Sequence, residues 1–249
     1  MKELAVVILA AGKGKRMGGE YPKVLFQIKG KPIIYYLLET VYALAPERVI
    51  VVVGFMHNKV EQFLSSFPDI EFVYQSRLLG TADAVSRTKE ILSDFDGDIL
   101  VLCGDVPFIE ETTIRELVRL HRENRAAATV LSAVLPDAKE YGRIIRTPSG
   151  ELERIVEFKD ATENEQAVRE INSGIMIFKK GDLFDNIDNI NINNAQGERY
   201  LTDMIGLLKA AGKRTLAYPA SDPMEVLGIN SPDELFLAES YLSERSCKK

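Results

Sequence analysis

Nearly unbroken apolar runs recur through the first half of this chain, each followed by residues with helical spacing. Leu4–Ala10, Arg48–Val53 and Ile99–Cys103 do not alternate polar with apolar residues. Both faces of such strands must be buried, which makes them inner strands of a parallel sheet. Ile70–Gln75 and Ala127–Leu135 read as further strands. Between them, Pro32 stands at the start of a helix in which Ile33, Ile34, Leu37, Leu38, Val41 and Leu44 share one face. Further helices are expected over 58–66, over 81–92 with Thr81 as the cap, and over 111–123. This alternation specifies an α/β fold: a Rossmann-like, mainly parallel sheet with right-handed crossovers and helices on both faces.

After about residue 136 the pattern changes. Gly142–Thr147 and Leu152–Phe158 flank Pro148-Ser149-Gly150 and read as a β-hairpin. A strand over Ser173–Phe178, a helix over Tyr200–Ala211, a strand over Arg214–Tyr218 and a terminal helix over Pro232–Glu244 follow. No repeat or low-complexity linker intervenes, so residues 1–249 are expected to form one domain. Its parts are a first half (1–135), a second half (136–230), and a helix with a tail (231–249). In such sheets ligands bind beyond the carboxyl ends of the strands, where Gly12, Gln75 and Asp105 all fall.

A formal charge of −6 excludes a general nucleic-acid or membrane-surface binder. The beginning is nevertheless basic: Lys2, Lys13, Lys15, Arg16, Lys23, Lys29 and Lys31 stand against Glu3 and Glu20 within residues 1–32. That asymmetry points to a local polyanion site. The two cysteines, Cys103 and Cys247, form neither a disulfide framework nor a zinc spacing and are expected to stay reduced, as in the cytoplasm. Leu4–Ala11 is too short to span a membrane. His57 and His121 lack ligand or triad spacing and read as ordinary surface or helix-start residues.

Residues 9–23 read LAAGKGKRMGGEYPK. Glycines 12, 14, 18 and 19 allow close backbone approach and an amide nest for an anion; Arg16 supplies a planar fork and Lys23 a compact charge. A Walker loop is excluded because no Gly-Lys-Ser/Thr triplet exists, and a dinucleotide loop because Met17 holds the third glycine position.

With these residues the chain resembles the sugar-phosphate nucleotidyltransferases, whose signature is L-A-A-G-x-G-x-R-M followed by P-K. It is most similar to the pyrophosphorylase domains of bacterial N-acetylglucosamine-1-phosphate uridylyltransferases. The likeness extends from Leu9 to Asn230. It takes in Gln75 with Leu79-Gly80-Thr81, Gly104-Asp105-Val106-Pro107, Tyr141-Gly142-Arg143-Ile144, Ile155-Val156-Glu157, Glu170-Ile171-Asn172-Ser173-Gly174, Asn194-Ala195-Gln196-Gly197-Glu198 and Leu201-Thr202-Asp203. The resemblance implies a nucleotide-diphospho-sugar transferase fold, with the hairpin over the sugar site. It also implies uridylyl transfer from UTP to N-acetylglucosamine 1-phosphate with Mg2+.

By the same resemblance, Leu9, Ala10, Ala11, Gly12, Lys23, Gln75, Gly80, Thr81, Cys103, Gly104 and Asp105 line the nucleotide in the first half. Asp105 and Asn230 hold the metal. Gly142, Glu157, Asn172 and Thr202 meet the sugar in the second half. Arg16, Lys23 and Asp105 carry the chemistry. Cys103, Leu78, Ala82-Asp83 and Phe158 stand where the family commonly has tyrosine, glutamine, glycine-histidine and a polar residue. No hexapeptide repeats of an acetyltransferase follow, so uridylyl transfer without acetyl transfer is expected. Oligomeric state stays open. The alternatives are a nucleotidyltransferase for dTTP, CTP or another sugar phosphate, and a regulatory sugar-nucleotide-binding subunit without catalysis.

Overall fold

The computed structural model describes residues 1–247. The side chain of Cys247, like those of Lys15 and residues 245–246, lies outside the described part, so of the two cysteines only Cys103 is located.

Strand β1 (Leu4–Ala10) is an inner strand of the main sheet, followed by a two-residue ribbon, β2 (Gln27–Ile28) with β3 (Lys31–Pro32). Then come α1 (Ile33–Leu44), β4 (Arg48–Val53), α2 (His57–Leu64), β5 (Ile70–Tyr74), α3 (Thr81–Ser86), β6 (Asp98–Cys103), α4 (Glu111–Glu123) and β7 (Ala128–Val134). The second half adds β8 (Arg143–Arg146), β9 (Leu152–Val156), α5 (Glu163–Gln166), β10 (Glu170–Lys179), α6 (Lys180–Asn186), α7 (Asp203–Ala210), β11 (Thr215–Pro219) and α8 (Pro232–Cys247).

The main sheet runs β11-β7-β10-β6-β1-β4-β5, with β8 paired to β10 and β9 to β8. Strands β6, β1, β4 and β5 are mutually parallel, as the unbroken apolar runs require. Leu4, Val6, Ile8 and Ala10 pack into one core layer, while Ala5 and Val7 pack into the other. Each fully buried Val or Ile here contributes about 1.5–3 kcal/mol of hydrophobic stabilisation. The chain steps outward from β1 to β4 and β5, then returns to place β6 on the opposite side of β1. That reversal is the switch point at which such sheets open a crevice.

Strand β10 is antiparallel to all three strands it pairs with, β6, β7 and β8. Its early residues therefore arrive at the carboxyl edge of the parallel strands. The pairing is irregular between Asn172 and Met176, and within that stretch Gly174 adopts φ +79°. A Cβ there would sit 2.7 Å from the Cys103 sulfur, so only glycine fits.

Several expectations change. Helix α3 stops at Ser86 and not near residue 92, because bonds of the i→i−3 type take over: Thr88 donates its N–H and hydroxyl to Val85 O, at 2.9 and 2.7 Å. Thr81 does not cap that helix. Gly80 occupies the cap position, and Thr81 Oγ1 accepts from Leu201 N–H at 2.9 Å. His121 is not at the surface: it is 1% exposed, with Nδ1 2.9 Å from Thr129 Oγ1. Among the described residues, no helix is long and apolar enough to cross a membrane.

Candidate active site

The loop leaving β1 is shaped by two tight approaches. Gly54, at the end of β4, lies against Ala11, where a Cβ would come within 2.8 Å of the Ala11 side chain. Gly14, at φ +59°, lies against Lys23, where a Cβ would come within 2.8 Å of the lysine Cβ. Met17 N–H and Gly19 N–H both donate to Gly14 O, which closes the loop on itself. Lys23 opens a single 3₁₀ turn after Pro22; the next two residues, Val24 and Leu25, are buried and anchor it.

That anchoring directs the Lys23 ammonium between two oxygens. Its Nζ donates to Asp105 Oδ2 and, at 2.9 Å, to Asn230 Oδ1. Asp105 follows β6, and Asn230 precedes α8, so residues far apart in sequence meet around one cation. The Lys23 and Asp105 side chains are only 18% and 16% exposed, and the pair is therefore weakly screened. Gly228 leaves room for both oxygen-bearing groups: a Cβ there would be 3.1 Å from Asp105 Oδ2 and 3.2 Å from Asn230 Nδ2. Among the described residues no three of His, Cys, Asp and Glu converge as a self-sufficient metal site. Two hard oxygens already sharing a cation do suit Mg2+, which takes one or two protein oxygens and completes its shell with phosphates and water.

Two cavities meet at this cluster, with Cys103 and Asp105 in the walls of both. The first, about 500 Å³, is floored by Leu9, Ala10, Ala11 and Gly12 at the end of β1. Its far end is made by Gln75, Leu78, Gly80 and Thr81 beyond β5. Gly104 lines neither cavity; its N–H donates to Leu9 O at 3.0 Å and joins β6 to β1 behind the floor.

The second cavity, about 370 Å³, is walled by Gly142, Glu157 and Asn172. The hairpin β8–β9 delivers Glu157, and β10 delivers Asn172, whose Oδ1 accepts from Gly174 N–H at 3.0 Å. Thr202 stands behind the wall and donates to Glu157 Oε1 at 3.0 Å. Burial holds the Glu157 carboxyl above the usual carboxylate range; the Thr202 donor opposes this, and Asp203, Asp160 and Glu198 add to it. Burial also pushes the Cys103 thiol up to about 12.

Arg16 stands on the other side of the Lys23 cluster from the Gln75 cavity. It lines the Glu157 cavity, and its Nη1 pairs with Glu140 Oε2 at 3.2 Å, both side chains being largely exposed. Four residues to which the sequence reading gave no role also shape the site. Tyr141 accepts from Gly228 N–H at 3.2 Å through a hydroxyl that burial raises to about 12, and Glu234 accepts from Asn230 N–H at 2.7 Å. Asp83 is buried against Gln75, and Glu198 lines the Gln75 cavity. Tyr141 and Glu198 had a signal, as ends of the Tyr-Gly-Arg-Ile and Asn-Ala-Gln-Gly-Glu segments, and Asp83 had one as a departure from the family pattern; Glu234 had none.

The profile of the MobA-like NTP transferase domain matches residues 6–165. The bifunctional protein GlmU of Brevibacillus brevis is 43% identical over 245 residues, 98% of this chain and 53% of that protein. The protein of the same name from Leifsonia xyli is 44% identical over 244 residues, 97% of this chain and 50% of that one. The chain thus spans about half the length of the curated relatives it matches. A solved UDP-glucose pyrophosphorylase complexed with UDP-glucose superposes with a TM-score of 0.78 over 97% of this chain and 98% of its own. At 18% identity that likeness speaks for the fold alone, a mainly parallel sheet with flanking helices. From a family profile matched over most of its length, this chain belongs to the MobA-like NTP transferase domain family.

Proposed function

We propose that this chain transfers a uridylyl group from UTP to N-acetylglucosamine 1-phosphate, releasing pyrophosphate. The observation that carries the reading is the meeting of two cavities at one cluster, in which Asp105 and Asn230 share the Lys23 ammonium. A reaction that joins two phosphorylated substrates needs such a junction. One phosphate oxygen of the sugar 1-phosphate attacks the α-phosphorus of UTP, the new P–O bond forms as the α–β bridging bond breaks, and pyrophosphate leaves.

Little covalent chemistry falls to the protein; positioning and charge neutralisation do the work. The floor from Leu9 to Gly12 brings backbone close to the triphosphate. Lys23, released from Asp105 and Asn230 when those oxygens take the metal, would place its charge beside the α-phosphate, and Gln75 with Gly80 and Thr81 faces the base. On the acceptor side, Glu157, Asn172 and the backbone at Gly142 offer the fixed acceptors and donors that sugar hydroxyls and an acetamide require. Asp105 and Asn230 would hold Mg2+, whose charge screens the α-phosphate against an anionic nucleophile. Arg16, at the sugar side of the junction, suits the incoming sugar phosphate once Glu140 releases it.

Pyrophosphate release measured over a panel of triphosphates and sugar 1-phosphates, with magnesium present or withheld, tests this reading. UTP with N-acetylglucosamine 1-phosphate should give the highest kcat/KM. Release that is fastest with another pair would transfer the proposal to that pair, and none with any pair would end the enzyme reading.

A further inference from the structure

The far end of the nucleotide cavity carries a detail that bears on which base it accepts. An amide side chain has two donors on its nitrogen and an acceptor oxygen. In Gln75, 4% exposed, both donors are used: Nε2 gives one to Asp83 Oδ2 at 2.8 Å and one to Gly80 O at 3.1 Å. Both partners accept, so turning the amide round would set oxygen against oxygen.

Asp83 is itself held. It is 2% exposed, and its second oxygen, Oδ1, accepts from Arg87 Nη2 at 2.8 Å one helical turn on. What remains of the Gln75 amide is Oε1, which no described residue contacts by hydrogen bond. The one buried side-chain polar atom without a hydrogen-bond partner among the described residues is His121 Nε2. Gln75 Oε1 is therefore open to the cavity that its residue lines.

We propose that Asp83 is a positioning residue that sets base selectivity. By holding Gln75 Nε2 inward, it leaves a lone acceptor, Oε1, facing the base. A pyrimidine with an N3–H donor, such as uracil, satisfies that acceptor. Cytosine presents a lone pair at N3 and leaves two acceptors opposed, which costs at least about tenfold in binding. The inference rests on the reading of this cavity as the nucleotide site.

The test compares UTP, dTTP and CTP as substrates for the wild type, Asp83→Asn and Asp83→Ala, with melting curves to confirm folding. Asparagine is isosteric and can donate or accept, so Gln75 can reach its second orientation; alanine removes the stronger hold and leaves only Gly80 O to accept from Nε2. The ratio of kcat/KM for UTP over CTP should fall about tenfold in both variants. The change should lie in KM, with kcat for UTP within about threefold of the wild type. The UTP to dTTP ratio should not move, because both bases carry N3–H. An unchanged UTP to CTP ratio in either folded variant overturns the proposal. So does an equal fall in both ratios, which would mean general loosening. Calorimetric binding of UDP and CDP to the same three proteins needs no turnover. A binding preference for UDP that weakens in the variants would support the Asp83 role even if the proposed sugar acceptor is wrong.

Discussion

The two cavities are built by opposite means. The Gln75 cavity, proposed for the nucleotide, is made largely of backbone and small residues at the ends of parallel strands, with Lys23 as the charge. The Glu157 cavity, proposed for the sugar, is made of side chains, Glu157 and Asn172, brought in by an antiparallel hairpin and an antiparallel strand. A parallel sheet with a switch point supplies an anion site almost as a by-product of its topology. Recognition of a neutral polyhydroxy ligand has no such default and must be assembled from buried polar groups. One of them, Glu157, is held in an environment that opposes its charge.

The largest test of this contrast lies at the junction. Asp105→Ala removes one of the two oxygens that share the Lys23 ammonium and would hold the metal. Turnover should fall on the order of 10³-fold while the melting transition remains cooperative. Near-normal turnover would falsify the placement of the chemistry at the junction. Lys23→Ala should cost roughly 10²-fold, mainly in kcat. Were its effect instead confined to the KM for the sugar phosphate, the lysine would belong to the other cavity.

This same contrast explains how much was legible in the sequence. The parallel core was readable because β1, β4 and β6 are buried on both faces and so lack any polar alternation. Gly12, Gln75 and Asp105 were placed at the site simply as residues after strand ends. In the second half the strand begins at Glu170, three residues before the expected Ser173, because Asn172 and Ser173 are buried through hydrogen bonds and not through apolar character. Helix α5 did carry a written signal: Thr162 and Glu165 form a capping box, although the helix is too short to show a hydrophobic period. No local pattern could have shown Asp83 turning toward Gln75, or Arg16 leaning to Glu140 across 124 residues. Those are products of how the elements stack.

Glu157→Gln sharpens the comparison by separating function from stability. The sugar-phosphate KM should rise roughly tenfold, since one fixed acceptor becomes an amide. Stability should move the other way. The carboxyl sits above its ordinary 4.5 in the folded chain, so the folded state holds the proton more tightly than the unfolded state does. Its contribution is intact below about pH 4.5 and is lost as pH rises through the folded value. At neutral pH the glutamine variant should therefore melt at or above the wild-type temperature, with the difference vanishing towards pH 4. A variant that melts lower than the wild type at pH 7 would show that the carboxylate is a stabilising partner, and the contrast between the two cavities would weaken.

The smallest expected effect concerns Cys103, which belongs to both walls. Its thiol reactivity depends on the thiolate fraction, and a group pushed up to about 12 has almost none at neutral pH. Burial dominates this shift, Asp105 adds to it, and Lys23 opposes it. Folded protein should therefore resist alkylation at pH 7 for hours and react promptly once unfolded, read by the mass of a peptide containing Cys103. In Asp105→Ala the negative neighbour is gone while Lys23 remains, so labelling should quicken by a few-fold and no more. Fast labelling of the folded wild type would mean that the junction between the cavities is wetter than its packing implies, and that the charges meeting there are screened by solvent.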